Sequence, residues 1–288
     1  MCYSTDSAKA PPKLAGEVKN GRKALNNKTF KILSIDGGGI RGVFPAHILH
    51  CISKKMRISL LGEFNMIAGT STGAIIAAAV ACDIDPTQIL SFYRENGKNI
   101  FNAKWPGIPW KLFRMATCGL YYSDKLNELL TEVFGDIRLG EVKIPLLLPA
   151  SDIGLGGVHV FKSSYCPTFF RDNNVLVRDA VIASCSAPTF YDPWKVEEYL
   201  LADGGLWANN PSLAAYVDAQ HRLNVSADRI RVLSIGTGHA KKYYGTNSKK
   251  LWGLMLGWGG AEFIEFLLSL QAVSANNYLK LINKLELI

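Results

Sequence analysis

Long apolar runs, clustered cysteines and histidine are what this sequence has little of. Its longest unbroken apolar run, Ala74 to Cys82, has nine residues, whereas a membrane-spanning helix needs roughly 18 or more. No spanning helix is expected. The six cysteines, Cys2, Cys51, Cys82, Cys118, Cys166 and Cys185, are scattered, with no CxxC pair and no Cys/His cluster. That spacing excludes a structural zinc site and reads as reduced thiols. Charged residues are only 19% against 48% hydrophobic, which excludes a disordered chain. The N-terminus has no apolar h-region, so no secretory signal is expected, and Met1-Cys2 lacks the apolar stretch a lipoprotein signal requires. No internal repeat or low-complexity tract is found after residue 28.

What is present is a basic chain of 288 residues, with 32 Lys and Arg against 24 Asp and Glu, a net charge of +8. A single chain of this length buries about 75% of its unfolded surface without disulfides. The charge is uneven. Residues 1–28 carry Lys9, Lys13, Lys19, Arg22, Lys23 and Lys28 against Asp6 and Glu17, a balance of +4. With Pro11-Pro12, Gly16, Asn20-Gly21 and no periodicity, they read as a flexible basic arm, a solvated tail or one drawn to an anionic membrane or nucleic acid. The folded domain is expected over 29–288. It is expected to continue beyond 288, because the chain stops at Ile288 inside an apolar helix with no glycine cap.

Short apolar strands alternate with helices through this domain. Strands are expected at residues 30–35, 64–68, 142–151, 157–161, 198–202 and 230–235. Helices are expected at 43–57, 74–82, 86–97, 123–134, 178–184, from Pro211 to about Arg222, and from Ala261 onward. The pattern predicts a three-layer α/β/α fold with a mostly parallel central sheet. Chemistry in such folds gathers at the carboxyl ends of the strands. Three glycine-rich loops are expected there, after residues 35, 68 and 202.

The first loop, Gly37-Gly38-Gly39-Ile40-Arg41-Gly42, matches GxGxxG. It reads as a dinucleotide-binding turn, a turn needed for tight packing, or an oxyanion hole of converging backbone N–H groups. The dinucleotide reading wants an acidic residue at the tip of the next strand; Glu63 has about the right spacing but precedes that strand. The second loop, Gly69-Thr70-Ser71-Thr72-Gly73, matches the GxSxG nucleophile elbow between strand and helix. Ser71 at the helix N-terminus favours developing negative charge. A serine needs a base. The chain offers five histidines, His47, His50, His159, His221 and His239. His239 follows a strand end and fits the Ser…Asp…His order, while His221 reads as a surface residue at a helix end. The third loop, Asp203-Gly204-Gly205, offers a carboxylate instead, able to approach Ser71 closely and to accept its proton if desolvation raises its pKa.

Together, Asp36 to Gly42, Gly69 to Gly73 and Asp203 to Gly205 resemble, in order, the three motifs of the patatin-like phospholipase family. Ser184-Cys185-Ser186-Ala187-Pro188 and Asn209-Asn210-Pro211 also look like segments of that family, and the resemblance covers about residues 30 to 240. It implies a Ser-Asp dyad, with Ser71 as nucleophile and Asp203 as general base. It implies an oxyanion hole at Gly37, Gly38 and Gly39 with Arg41 holding that loop, and no metal or organic cofactor, calcium included. The implied reaction is hydrolysis of phospholipid or lysophospholipid acyl esters by way of an acyl-serine.

A lipid substrate would suit the aromatic stretch 101–122, as lining or cover of an acyl pocket. It would also suit Leu251 to Trp258 and the following helix with Phe263, Ile264, Phe266, Leu267 and Leu268 at a bilayer surface. Either region equally reads as core packing. The expected location is cytoplasmic and peripheral to the membrane. A second class of function also fits. The chain resembles bacterial patatin-like phospholipases activated by cyclic dinucleotides in antiphage defence, and Lys241, Lys242, Lys249 and Lys250 would meet phosphates or simply be solvated. A nucleotide-binding module using the first loop alone is a third reading.

Overall fold

Strand β1, Phe30–Ile35, has neighbours on both sides, and its last four residues are buried, which is why it reads as a mostly apolar run broken by Lys31 and Ser34. The structure, a computed structural model, describes residues 29–101, 121, 123–238, 244, 257–258 and 261–283. After β1 come α1 (Val43–Met56), β2 (Met66–Gly69), α2 (Thr72–Ala81), α3 (Pro86–Phe101) and α4 (Ser123–Phe134). The hairpin β3 (Leu146–Asp152) and β4 (Gly157–Lys162) precedes α5 (Val177–Cys185) and a second hairpin, β5 (Trp194–Val196) and β6 (Tyr199–Asp203). The chain continues through α6 (Ser212–His221), β7 (Ile230–Ile235) and α7 (Ala261–Asn283).

The sheet order is β5-β6-β3-β2-β1-β7, with β4 on the other side of β3. Strands β7, β1, β2 and β3 are parallel; β4 and β6 run against β3, and β5 runs against β6. The sheet is therefore mixed and mostly parallel. Side chains alternate between two cores. Leu33, Ile35 and Ile67 face the layer of α1 to α5, and Ile32, Met66 and Ala68 face α6 and α7. The three layers expected from the sequence are present. All ten residues of α2 are buried, and its small side chains are what let it lie so close to the sheet.

The differences from expectation are local. Strand β3 starts at Leu146 rather than Val142, because Leu139–Glu141 forms a 3-10 turn in which the Val142 N–H donates to the Leu139 carbonyl (3.3 Å). Strand β2 starts at Met66 rather than Phe64, and Pro211 caps α6 rather than starting it. The β5–β6 hairpin was not expected. Its turn contains no glycine, and Glu197 itself adopts φ 51°. The loop after residue 202 does not follow a parallel strand. Strand β3 overruns β2, and β6 pairs antiparallel with that overhang, Asp203 opposite Ala150. Asp203 thus reaches the carboxyl edge of the parallel strands from the opposite direction. Cys51, Cys82, Cys166 and Cys185 are unpaired.

Candidate active site

Ser71 occupies the sharp turn between β2 and α2 with φ 54° and ψ −127°. A non-glycine residue in that region stores of order 1–3 kcal/mol and needs its surroundings to hold it. Five hydrogen bonds do so. Thr70 donates its N–H to the Ile35 carbonyl (3.2 Å) and its hydroxyl to the Ala208 carbonyl (2.6 Å). Ser71 N–H donates to the Ser184 hydroxyl at 3.0 Å. Gly73 and Ala74 N–H return to the Thr70 and Ser71 carbonyls, each at 2.8 Å. Gly73 is required by proximity: a Cβ there would strike the Ile35 carbonyl oxygen and come within 2.7 Å of that of Asp36.

Asp203 ends β6 and is 1% exposed. Its Oδ1 accepts the Gly205 N–H at 2.6 Å, and its Oδ2 is buried without a hydrogen-bond partner. Burial pushes this carboxyl up to about 6, against the opposing influence of the nearby Ser71 hydroxyl and the Gly205 amide. The Ser71 hydroxyl is thus near enough to act on the carboxyl's charge without closing a hydrogen bond to Oδ2, a looseness common before substrate binds.

The first loop lies beside this pair. Gly37 N–H is committed to the Asn209 carbonyl (3.0 Å), and the Gly37 carbonyl accepts the Thr237 hydroxyl (2.9 Å). Among the described residues no carbonyl takes the amides of Gly38 or Gly39. These two, and not Gly37, are placed to meet a ligand oxygen. Gly39 stands at φ 56°, where glycine is favoured. The Arg41 backbone and guanidinium Nε both donate to the Gly38 carbonyl, at 3.2 and 3.3 Å, which orients the loop. Behind it Asp36 is buried, and desolvation, opposed by the Asn210 side chain, raises its pKa to about 7.

These elements open on a cleft of about 340 Å³. Ser71, Asp203, Gly38, Gly39, Arg41 and Glu265 line it together with Ile75, Tyr121, Leu126, Phe190, Tyr191 and Leu268. The lining is mostly apolar, with the polar groups of the three loops and the Glu265 carboxylate set into it. No described histidine lines it. His221 is exposed at the end of α6. His159 is buried between the rings of Phe161 and Tyr199, and burial and then Arg171 hold it down to about 4. Cys185 lines the cleft, but burial pushes its thiol well up, which leaves it a poor nucleophile. Glu63, the carboxylate wanted for a dinucleotide, instead pairs with Lys31 at the start of β1 (3.0 Å), the end of that strand remote from the loop.

A model of the patatin-like phospholipase family matches residues 33–216 of the 288. The chain belongs to the patatin-like phospholipase family. Among its relatives is the "cGAMP-activated phospholipase" of Pseudomonas aeruginosa, 30% identical over 210 residues, covering 73% of this chain and 62% of that protein. Another is "Patatin-like protein 4" of Arabidopsis thaliana, 30% identical over 272 residues, covering 82% of this chain and 66% of that one. The chain spans just under two thirds of the length of these curated relatives. A more distant likeness is the crystal structure of VipD from Legionella pneumophila, with 12% identity and TM-score 0.42 over 85% of this chain and 67% of that one.

The matched family segment contains Asp36 to Gly42, Gly69 to Gly73 and Asp203 to Gly205, and the fold brings all three loops to one cleft. Sequence reasoning did not anticipate Ser184, Asn209 and Thr237 as the groups that fix the elbow and the glycine loop. Ser184 and Asn209 fall in the two segments singled out for their family likeness, and Thr237 falls in the Gly236-Thr237-Gly238 turn. His239, Lys241, Lys242, Lys249, Lys250, residues 1–28 and 251–256 lie outside the described residues. So does nearly all of the aromatic stretch; its Tyr121 does line the cleft. Phe263 and Phe266 pack against Trp258 (5.0 Å) and Tyr244 (5.7 Å).

Proposed function

We propose that this chain is a serine lipid acyl hydrolase working through a Ser71–Asp203 dyad. The observation that carries the reading is a strained serine and a buried, partnerless carboxylate oxygen in one mostly apolar cleft that no described histidine lines. Asp203 takes the proton of the Ser71 hydroxyl as Oγ bonds to the acyl carbonyl carbon. The carbonyl π pair moves to oxygen, where the amides of Gly38 and Gly39 receive it. One such donor is worth about 100- to 1,000-fold in rate. The N-terminus of α2 adds favourable potential. Collapse breaks the ester bond, and Asp203 returns the proton to the leaving alcohol. A water molecule, deprotonated by Asp203, then releases the acid from Ser71. The apolar lining supports a fatty-acyl substrate, phospholipid or lysophospholipid.

In this reading residues 29–288 carry the hydrolase domain, and residues 1–28 are a basic arm that adds attraction to anionic lipid. Contact with membrane is peripheral. Among the described residues no helix is long and apolar enough to cross a membrane. Exposed Ile40 and Phe44, at the glycine loop and the start of α1, and Leu267 and Leu270 of α7 supply apolar side chains on segments that border the cleft. A cyclic-dinucleotide-gated effector is the second reading, supported by the name of the Pseudomonas aeruginosa relative, a cGAMP-activated phospholipase.

The test is labelling by a fluorophosphonate probe and release of fatty acid from phospholipid vesicles, with and without cGAMP. Wild type should be labelled at Ser71, Ser71→Ala should not, and both Ser71→Ala and Asp203→Ala should lose hydrolysis. Loss in His239→Ala with full activity in Asp203→Ala would overturn the dyad. Hydrolysis independent of added nucleotide would overturn gating.

A further inference from the structure

The elbow and the glycine loop are both tied to one short segment. From Asp203 the chain makes a single helical turn, Gly205–Ala208, and runs on through Asn209 and Asn210. The Ala208 carbonyl accepts the Thr70 hydroxyl (2.6 Å) and so ties the elbow. The Asn209 carbonyl accepts the Gly37 N–H (3.0 Å) and so ties the glycine loop. Asn210, fully buried, is where the segment itself is fixed. Its Oδ1 accepts the Ser212 N–H at 2.9 Å. Its Nδ2 donates to the Ser234 hydroxyl of β7 and to Asn276 Oδ1, each at 3.1 Å. Its backbone N–H donates to Gln271 Oε1 at 2.9 Å.

Gln271 and Asn276 belong to α7, beyond the residues 33–216 that the family model matches. Ala272, Ala275 and Leu279 of that helix are buried, at the spacing of one helix face. Gln271 and Asn276 flank the two alanines, whose small side chains let α7 come close. The contact with the helical turn is tight: a Cβ on Gly205 would lie 2.8 Å from the Leu268 side chain.

We propose that Gln271 is a positioning residue for the active site: from α7 it takes up the Asn210 N–H and thereby fixes the Ala208 and Asn209 carbonyls that hold the elbow and the glycine loop. The kinetic consequence rests on the hydrolase reading; the anchoring does not. A buried N–H must find an acceptor. Without the Gln271 oxygen the segment can satisfy it only by shifting or by admitting water, and either loosens both carbonyls, which lie one and two residues away along the backbone. A misplacement of about 1 Å at reacting groups can cost about 100-fold in rate.

The test compares two substitutions of similar size. Gln271→Met keeps the reach of the side chain and removes the acceptor; Gln271→Glu keeps an acceptor oxygen. On p-nitrophenyl butyrate, Gln271→Met should lower kcat by about tenfold or more with KM within about twofold, and Gln271→Glu should recover most of the loss. A half-buried position that mattered only for packing would give the opposite order, because methionine fills apolar space well and a carboxylate resists burial. Wild-type kcat in Gln271→Met, or an equal loss in both variants, would overturn the proposal. A second measurement needs no catalysis. Hydrogen exchange of the Gly37 amide, read by NMR with isotope-labelled glycine, should be faster in Gln271→Met than in wild type and Gln271→Glu. Equal exchange in all three proteins overturns the anchor. Absence of fluorophosphonate labelling at Ser71 in wild type sinks the hydrolase reading instead, and the Gly37 exchange then decides the anchor by itself.

Discussion

Asp203→Asn removes a charge that burial disfavours while keeping the shape of the side chain. The Asp203 pKa stands near 6 instead of 3.8. The folded protein therefore binds this proton more tightly than the unfolded chain. The stability that Asp203 contributes is full below pH 3.8 and is lost as the pH rises through 6. The displacement corresponds to about 3 kcal/mol. Asparagine does not titrate. Its oxygen keeps the bond from Gly205, and its NH₂ takes the place of the partnerless Oδ2 at a penalty of about 1–2 kcal/mol, constant with pH. The stability of Asp203→Asn minus that of wild type should rise by about 3 kcal/mol from pH 3.5 to pH 8, ending about 1–2 kcal/mol in the variant's favour. Asp36 titrates in the same sense but is present in both proteins and cancels. Urea unfolding followed by tryptophan fluorescence at the two pH values reads the difference, and ester hydrolysis at pH 8 reads function. A stability difference that does not move with pH refutes the raised pKa. Retained hydrolysis refutes the role of Asp203 as base.

The remaining predictions concern rate and packing. Because the base must be ionised, kcat/KM on a soluble ester should rise tenfold per pH step below about 6 and level off above it; Asp36→Asn should leave that inflection in place, and a flat profile in wild type would count against Asp203. Gly73→Ala drives a methyl into the backbone of β1 and should destabilise the fold by about 2–3 kcal/mol, whereas Gly39→Ala meets no atom within 4 Å and should lose only about 1–2 kcal/mol for its left-handed conformation; denaturant midpoints separate the two. Thr237→Val keeps side-chain shape but strips the Gly37 carbonyl of its donor. It should lower kcat by about tenfold with KM little changed, in line with a lost hydrogen bond of about 1–1.5 kcal/mol.

The parts of this architecture written in short-range pattern were legible. β1 and α2 are mostly apolar because four residues of β1 and all ten of α2 are buried, and the GxSxG spacing marks the elbow, two of whose hydrogen bonds join near neighbours. Other features depend on groups far apart in sequence and leave no local mark. The direction of β6 depends on how far β3 outruns β2. The β5–β6 hairpin turns at Glu197, a residue type that ordinarily does not signal a turn. The commitment of the Gly37 N–H depends on the Asn209 carbonyl, a backbone atom that no side-chain pattern announces. Asp36 was read as the first letter of a motif, and only its burial shows it to be a carboxyl held near neutrality behind the loop.

The antiparallel arrival of β6 also has a consequence for biosynthesis. Ser71 and Asp203 are separated by 203 − 71 = 132 positions, and they meet only when β6 pairs with the overhang of β3. At a ribosomal rate of about 5–20 residues per second, the serine emerges roughly 7–25 s before the carboxylate. Over that interval the nascent chain can build the elbow and the first parallel strands without Asp203. On the proposed dyad, the serine stays inert until the far end of the sheet is in place.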